Sequence, residues 1–374
     1  MADPRALSGD ALAAALRDSR ARTLSLVDDL SDAQWAVPRQ PGINPVAWEL
    51  SHIAWFAEFW ILRGPHRIGN DNLVHAARAS RQPDEDARFD SARLPHDARW
   101  DIALPTRDQV FARLERQLDA CLAALPAGDD DDALYFHRLA LFHEDMHGEA
   151  FAWLRATLAF PAPSAFAIVS VPTRQPIKVA GGAVRIGWPS ARRGFAFDNE
   201  RPGREWQLDD FEIDSAPVSC GDFLRFVEAG GPVPSRWRYR DGEWQVRHFD
   251  RCQPLPPDQP VMHLAAAHAE AYCQWAGRRL PTAAEWEHAA VHAGPAFHWG
   301  RSVWEWTANA FVPYPGFEPG PYKDYSAPWF GDHRELRGGA FATHARMHDA
   351  RYRNFFLPAR SDVFTGFRTA ALPR

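Results

Sequence analysis

Cysteine is scarce in this sequence. The four present, Cys121, Cys220, Cys252 and Cys273, stand far apart with no close pair, which suits a reducing compartment where disulfides are rare. Long apolar runs are missing too, and none approaches the roughly 20 residues needed to cross a bilayer. The opening stretch, MADPRALSGDALAAALRDSR, has neither the basic start nor the apolar core of a signal peptide. No long basic run accompanies the formal charge of -6, so the chain carries no nucleic-acid footprint. A glycine-rich phosphate loop is also absent. Together these absences imply a soluble cytoplasmic protein with no nucleic-acid or membrane partner. They leave its oligomeric state open.

What is present points to two folded domains. The chain has 374 residues, 46% of them hydrophobic and 24% charged, enough for two cores and too apolar for wholesale disorder. Sixteen Trp imply aromatic-lined pockets, and 31 Pro imply long, shaped loops. Residues 1–160 read as helices. LSGDALAAALRDSRARTLSLVDDL has an apolar stripe at helical spacing, with Ser8 or Asp10 as possible caps. NPVAWELSHIAWFAEFWILRG has Pro45 near its first turn and Gly64 just past its end. TRDQVFARLERQLDACLAAL is a third helix. A fourth, behind the acids Asp129–Asp132, runs through YFHRLALFHEDMHGEAFAWLRATLAF. The four fit an up-and-down bundle with a long excursion between the second and third. Residues 161–180 read as a linker. Residues 181–374 switch to short strands and turns (GGAVRIGWP, REWQLDDFEIDSAPVS, RELRGGAFAT), interrupted by the helices CGDFLRFVEAG and HLAAAHAEAYCQWAGRR. The fold class is therefore α+β.

Within the fourth helix, LFHEDMHGEAF places His143 and His147 one turn apart on one face. His52, in WELSHIAWFAEFW, is the best third partner because bundles hold metals between facing helices. Three imidazoles leave open positions on a first-row ion, and they suit Fe(II), Zn, Co or Ni about equally. Glu144 follows His143 as it does in zinc peptidase helices, but no further ligand lies downstream. Glu144 and Glu149 stay outside the ligand set, as acceptors for imidazole N–H groups or as polar-face residues. The remaining histidines read as surface or structural. In the second half, Thr282 and Glu285 form a capping-box pattern. Trp304, Glu305 and Trp306 read as loop anchors, and Gly338 and Gly339 as a tight backbone crossing.

The series QPVMHLAAAHAEAYCQWAGRRLPTAAEWEHAA, SVWEWTANAF, ELRGGAFAT and RYRNFFLPARSDVFTGFR closely resembles the formylglycine-generating-enzyme-like domain, a loop-rich mixed α/β, C-type-lectin-like fold. WELSHIAWF with the His143/His147 pair resembles the DinB-like helical bundle. That combination is similar to the nonheme-iron sulfoxide synthases of ergothioneine biosynthesis and their selenium-using relative, selenoneine synthase. Formylglycine generation itself needs a cysteine pair near the C-terminus, and none follows Cys273.

The resemblance implies that His52, His143 and His147 hold Fe(II), with O2 as co-substrate and hercynine, the trimethylated histidine betaine, as acceptor. Trp and Tyr can supply cation–π contacts to its trimethylammonium. A tyrosine resembling the family's proton donor is one of Tyr314, Tyr322 and Tyr325, and a neutral phenol suits donation. Members using gamma-glutamylcysteine often read Asn-Trp-Asp with an Arg four residues on, where this chain has Asn354, Phe355, Phe356 and Arg360. They often also carry Gln before the last ligand, where Met146 stands here. These departures from a polar donor site favour an uncharged selenosugar over cysteine or gamma-glutamylcysteine. A zinc hydrolase or thiol transferase and a noncatalytic carbohydrate- or peptide-binding protein are the remaining alternatives.

Overall fold

Apolar side chains recurring at helical spacing produce four principal helices in the N-terminal half: α1 (Gly9–Ser25), α2 (Val46–Ala57), α3 (Arg107–Ala123) and α4 (Asp131–Thr157). The computed structural model describes residues 3–164 and 166–373; of the expected linker, position 165 lies outside them. Two units divide the chain, one reaching Leu154 and including Arg193–Phe195, the other formed by Arg155–Arg192 and Ala196 onward.

In the first unit, Leu12, Ala15 and Leu16 of α1 pack against Leu134 and Leu141 of α4. Every residue of α2 is buried, as expected of a helix that is apolar on nearly all sides. It continues into a single π-helical turn, Glu58–Leu62, a local widening that often marks functional sites. Thr106 and Gln109 form a reciprocal capping box that starts α3. Ser8 occupies the N-cap of α1 but makes no side-chain cap bond, so its value there is conformational. Pro45 is the N-cap of α2 and lies just outside the helix.

The excursion between α2 and α3 is ordered by polar bonds more than by apolar packing. It holds a hairpin (His66–Ile68 with Val74–Ala76), a short helix (Glu85–Phe89) and a 3-10 turn (His96–Trp100). Arg63 grips Asp86 with two bonds of 2.6 and 2.8 Å, and Trp55 Nε1 donates to the same carboxylate at 2.8 Å. The short helix is thereby tied to the end of α2.

The second unit is built on small sheets. The largest has four strands in the order Asn354–Phe356, Arg334–Gly338, Trp304–Ala310, Thr365–Gly366. Trp304–Glu305–Trp306 is part of an inner strand paired with 336–338, from which Trp306 Nε1 anchors a loop through a 2.7 Å bond to the Leu264 carbonyl. Both indoles and Glu305 are buried, so the polar residue that breaks the strand pattern needs an internal counter-ion. Arg368 provides it through two contacts of 2.5 and 2.8 Å, and Trp286 Nε1 adds a bond of 3.0 Å. A three-stranded meander, 237–254, is a further element not among those expected, although Asp241–Gly242, both at positive φ, is a two-residue hairpin signature between its first two strands.

Three helices, not two, interrupt the strands: Cys220–Glu228, Ala266–Trp275 and Ala283–His292. The third starts at Thr282, whose hydroxyl accepts from Glu285 N at 3.1 Å while Glu285 accepts from Thr282 N at 2.7 Å. That is the capping box legible at 282–285. Gly339 has φ +152°, and a Cβ there would collide with the His348 ring.

Replacing Arg368 by Met should leave Glu305 buried without its charge partner. The expected loss is roughly 3–5 kcal/mol, measured as a lowered urea midpoint for the second unit by hydrogen exchange.

Candidate metal centre

α2 and α4 each bring imidazoles to the bundle interior. On α4 the spacing of four residues stacks His143 and His147 on one face, with ring centroids 4.5 Å apart. α2 supplies His52 opposite them. The Nε2 atom of His143 lies 3.2 Å from Nε2 of His52 and 3.2 Å from Nε2 of His147. Among the described residues these three form a group whose ligand atoms all lie within 4.8 Å of one another.

The tautomers follow from the partners. His52 Nδ1 is 2.7 Å from the Phe89 carbonyl, which only accepts. His147 Nδ1 is 2.7 Å from Glu49 Oε1, again an acceptor. Both rings therefore carry the proton on Nδ1 and turn a bare Nε2 lone pair inward. Burial pushes His52 and His143 well below the ordinary imidazole pKa, and the neighbouring His147 imidazole acts in the same direction on each. Phe56 lies flat against His143 (3.5 Å, 3°), and Trp48 is parallel to His52 (5.0 Å, 7°).

With Nε2 of His52 and of His147 bare, the close approach of His143 Nε2 to both requires either a shared proton or a cation among them. Two nitrogens about 2.0–2.1 Å from one first-row ion, disposed tetrahedrally or adjacent in an octahedron, stand about 2.8–3.4 Å apart. The 3.2 Å spacing falls in that span. The donor set fits a divalent transition metal with open positions.

Glu49 is the site residue that sequence reading missed. It sits three residues before His52 on α2, within one helical turn, so spacing alone could have singled it out. Glu144 is neither an acceptor for an imidazole nor on a polar face. It is buried and paired with Arg20 at 2.7 Å, which consumes its charge inside the bundle. Glu149 is buried as well. Met146 is half-buried on α4, beside His147 in sequence.

The other expected residues lie in the second unit. Tyr314 is buried, with its hydroxyl 3.0 Å from Arg337 Nη2 and the Arg353 guanidinium 4.0 Å over its ring. Tyr325 is half-open as a residue at its helical turn, but its hydroxyl is 2.9 Å from that of Tyr352 and its ring stacks on Phe197 at 4.2 Å. Burial of their hydroxyl ends raises both phenols above their ordinary pKa. Tyr322 is half-buried, 5.9 Å from the Tyr325 ring. Asn354, Phe355 and Phe356 form the edge strand, with Phe355 stacked on Phe311 at 4.2 Å. Arg360 lies 5.0 Å over the Phe356 ring and bonds both oxygens of Asp362 (3.0 and 2.5 Å).

Residues 15–154 match the DinB superfamily, and residues 165–302 match the sulfatase-modifying factor enzyme 1-like domain. The hercynine oxygenase of Mycobacterium tuberculosis is 32% identical, over 97% of this chain and 99% of its own. The chain belongs to the ergothioneine sulfoxide synthase (hercynine oxygenase) family. Two partial relatives agree with that placement. Ergothioneine biosynthesis protein 1 of Schizosaccharomyces pombe is 28% identical over 46% of this chain and 27% of its own. The formylglycine-generating enzyme of Streptomyces coelicolor is 25% identical over 53% of this chain and 89% of its own. The likeness to the latter covers the second half of the chain, where burial pushes the Cys220 and Cys273 thiols up to about 12 and Cys252 is exposed.

Two outcomes are expected of this family member. Glu49→Gln should weaken Co(II) binding roughly 10–100-fold, measured by equilibrium dialysis. The metal-free protein should also lose stability on acidification. His52 and His143 take up protons near pH 6.5 when unfolded but only at lower pH when folded. Between those values the unfolded state binds more protons, so stability falls with pH, by up to about 1.4 kcal/mol per unit for each ring. Urea midpoints at pH 7.5 and 5.5 should differ less in His143→Phe than in the wild type.

Proposed function

We propose that this chain couples a reduced chalcogen donor to the imidazole of hercynine, with Fe(II) held by His52, His143 and His147 and O2 as co-substrate. The observation that carries the proposal is the three-imidazole cluster, in a chain that aligns end to end with a protein named hercynine oxygenase. Fe(II) bound there supplies redox electrons and open positions for small ligands.

The chain's own residues do the rest. Phe89 O and Glu49 keep the two imidazoles in the ligating tautomer. Trp48, Trp55 and Phe56 surround the cluster with apolar rings, which excludes bulk water and strengthens electrostatic contacts within. One of Tyr314, Tyr322 and Tyr325 is the proton donor of this proposal. The Tyr314 hydroxyl bonds Arg337 and the Tyr325 hydroxyl bonds Tyr352.

The donor of this proposal is a selenosugar, which makes the chain a selenoneine synthase. Recognising an amino-acid thiol takes a carboxylate for its ammonium and a cation for its carboxylate. Phe356 stands where the acidic residue would be, and Arg360 is already held by Asp362 with both prongs. An uncharged donor leaves neither group unmatched. The sulfur reading, with cysteine or gamma-glutamylcysteine as donor, has in its favour Arg360 and the likeness to relatives named for hercynine oxygenation and ergothioneine biosynthesis.

Hercynine, Fe(II) and O2 should be supplied with a selenosugar, cysteine or gamma-glutamylcysteine in parallel, and the products identified by mass. A carbon–selenium product from the selenosugar is expected. Coupling with thiols alone would overturn the selenium assignment, and no coupling with any donor would overturn the function. Phenylalanine at the one donor among Tyr314, Tyr322 and Tyr325 should lower turnover by about 10²–10⁴-fold, while the other two Tyr→Phe variants retain more activity than that.

A further inference from the structure

Arg99 sits behind the metal cluster and touches the support of two of its rings. It belongs to the 3-10 turn His96–Trp100, in the excursion between α2 and α3. Its Nη1 donates to Asn44 Oδ1 at 2.6 Å, and Asn44 Nδ2 donates to Glu49 Oε2 at 3.2 Å. The other oxygen of Glu49 receives the Nδ1 proton of His147 at 2.7 Å. A guanidinium only donates and a carboxylate only accepts. The orientation of the Asn44 amide and the tautomer of His147 therefore follow from the two ends of the chain of bonds.

The same guanidinium lies 3.9 Å over the Trp48 ring, on which His52 is stacked. Cation and indole attract through the ring quadrupole. Trp48 is held at its far edge by a 2.8 Å bond from Nε1 to the Arg88 carbonyl. The indole plane is thus pinned from two sides, and the plane of His52 with it.

We infer that Arg99 is a positioning residue for the metal centre: one side chain that orients His147 through Asn44 and Glu49, and His52 through Trp48. The inference rests on the metal-binding role proposed above for the three imidazoles. Lysine cannot replace it fully, because an ammonium lacks the planar fork that bonds Asn44 while lying flat on an indole.

The test uses the full-length protein, freed of metal and titrated with Co(II) alone. Affinity and the visible ligand-field spectrum of bound Co(II) are read together, with thermal unfolding of the metal-free protein as the control for folding. Arg99→Leu should bind Co(II) at least tenfold more weakly, in keeping with the usual effect of losing an outer partner, and with altered band positions. Arg99→Lys should fall between Leu and wild type. Asn44→Ala, which cuts one arm and leaves the indole contact, should weaken binding less than Arg99→Leu. Combining it with Arg99→Leu should cost less than the sum of the two, as for groups in one network. If Arg99→Leu fails to fold, Asn44→Ala and Arg99→Lys decide the matter alone. Affinity within twofold of wild type and an unchanged spectrum in the folded variants would overturn the inference. Absence of Co(II) binding in the wild type would overturn the metal reading itself, and this one with it.

Discussion

In the interior of a helical bundle the Nε2 atom of His143 lies 3.2 Å from those of His52 and His147, and this convergence requires a shared proton or a cation among the nitrogens. The rest of the first unit can be understood as the means of holding that convergence. α4 contributes two rings by helical periodicity alone. α2 contributes the third and is buried along its whole length, so it cannot rotate to relieve the crowding without exposing apolar surface. Carbonyl and carboxylate acceptors behind the rings set the protons on the outer nitrogens. The result is a donor set organised before any ligand arrives, which lowers the entropic cost of binding one.

The second unit solves a different problem. Its strands are short and its loops long, so apolar burial alone supplies little rigidity. Buried charge does the specifying. Glu305 is matched by Arg368, and Glu335 by Arg353 and Arg337. Such pairs contribute little net stability, but each is intolerant of a missing partner. They fix which side chains can occupy the inner sheet. The edge strand with Asn354, Phe355 and Phe356 is built on that frame, and its aromatic character follows from Phe311 and Arg360 packing on it.

Much of this was legible in the residues themselves. The i,i+4 pair at 143 and 147, the apolar helical segment around His52 and the capping box at 282–285 each carry a pattern that physical chemistry restricts to few conformations. The family motifs extend over nearly the whole chain. Less legible were Glu49, whose acidic side chain looks like an ordinary helix-start residue, and Trp304–Trp306, whose aromatic and charged alternation is equally compatible with a loop. Glu144 was misleading for the same reason, since nothing at positions 143–147 reveals that Arg20 will claim it.

The sequence alone determined the type of each helix, the face on which two ligands lie and the two-part organisation, because these depend on local period and composition. Tertiary structure alone decided which acceptor faces each imidazole, and which carboxylates serve the cluster and which serve the core. It also decided that an arginine 47 residues beyond His52 stands behind the rings. Hydrogen bonds and ion pairs of that kind join positions distant in the chain, and no local pattern encodes which partner will arrive.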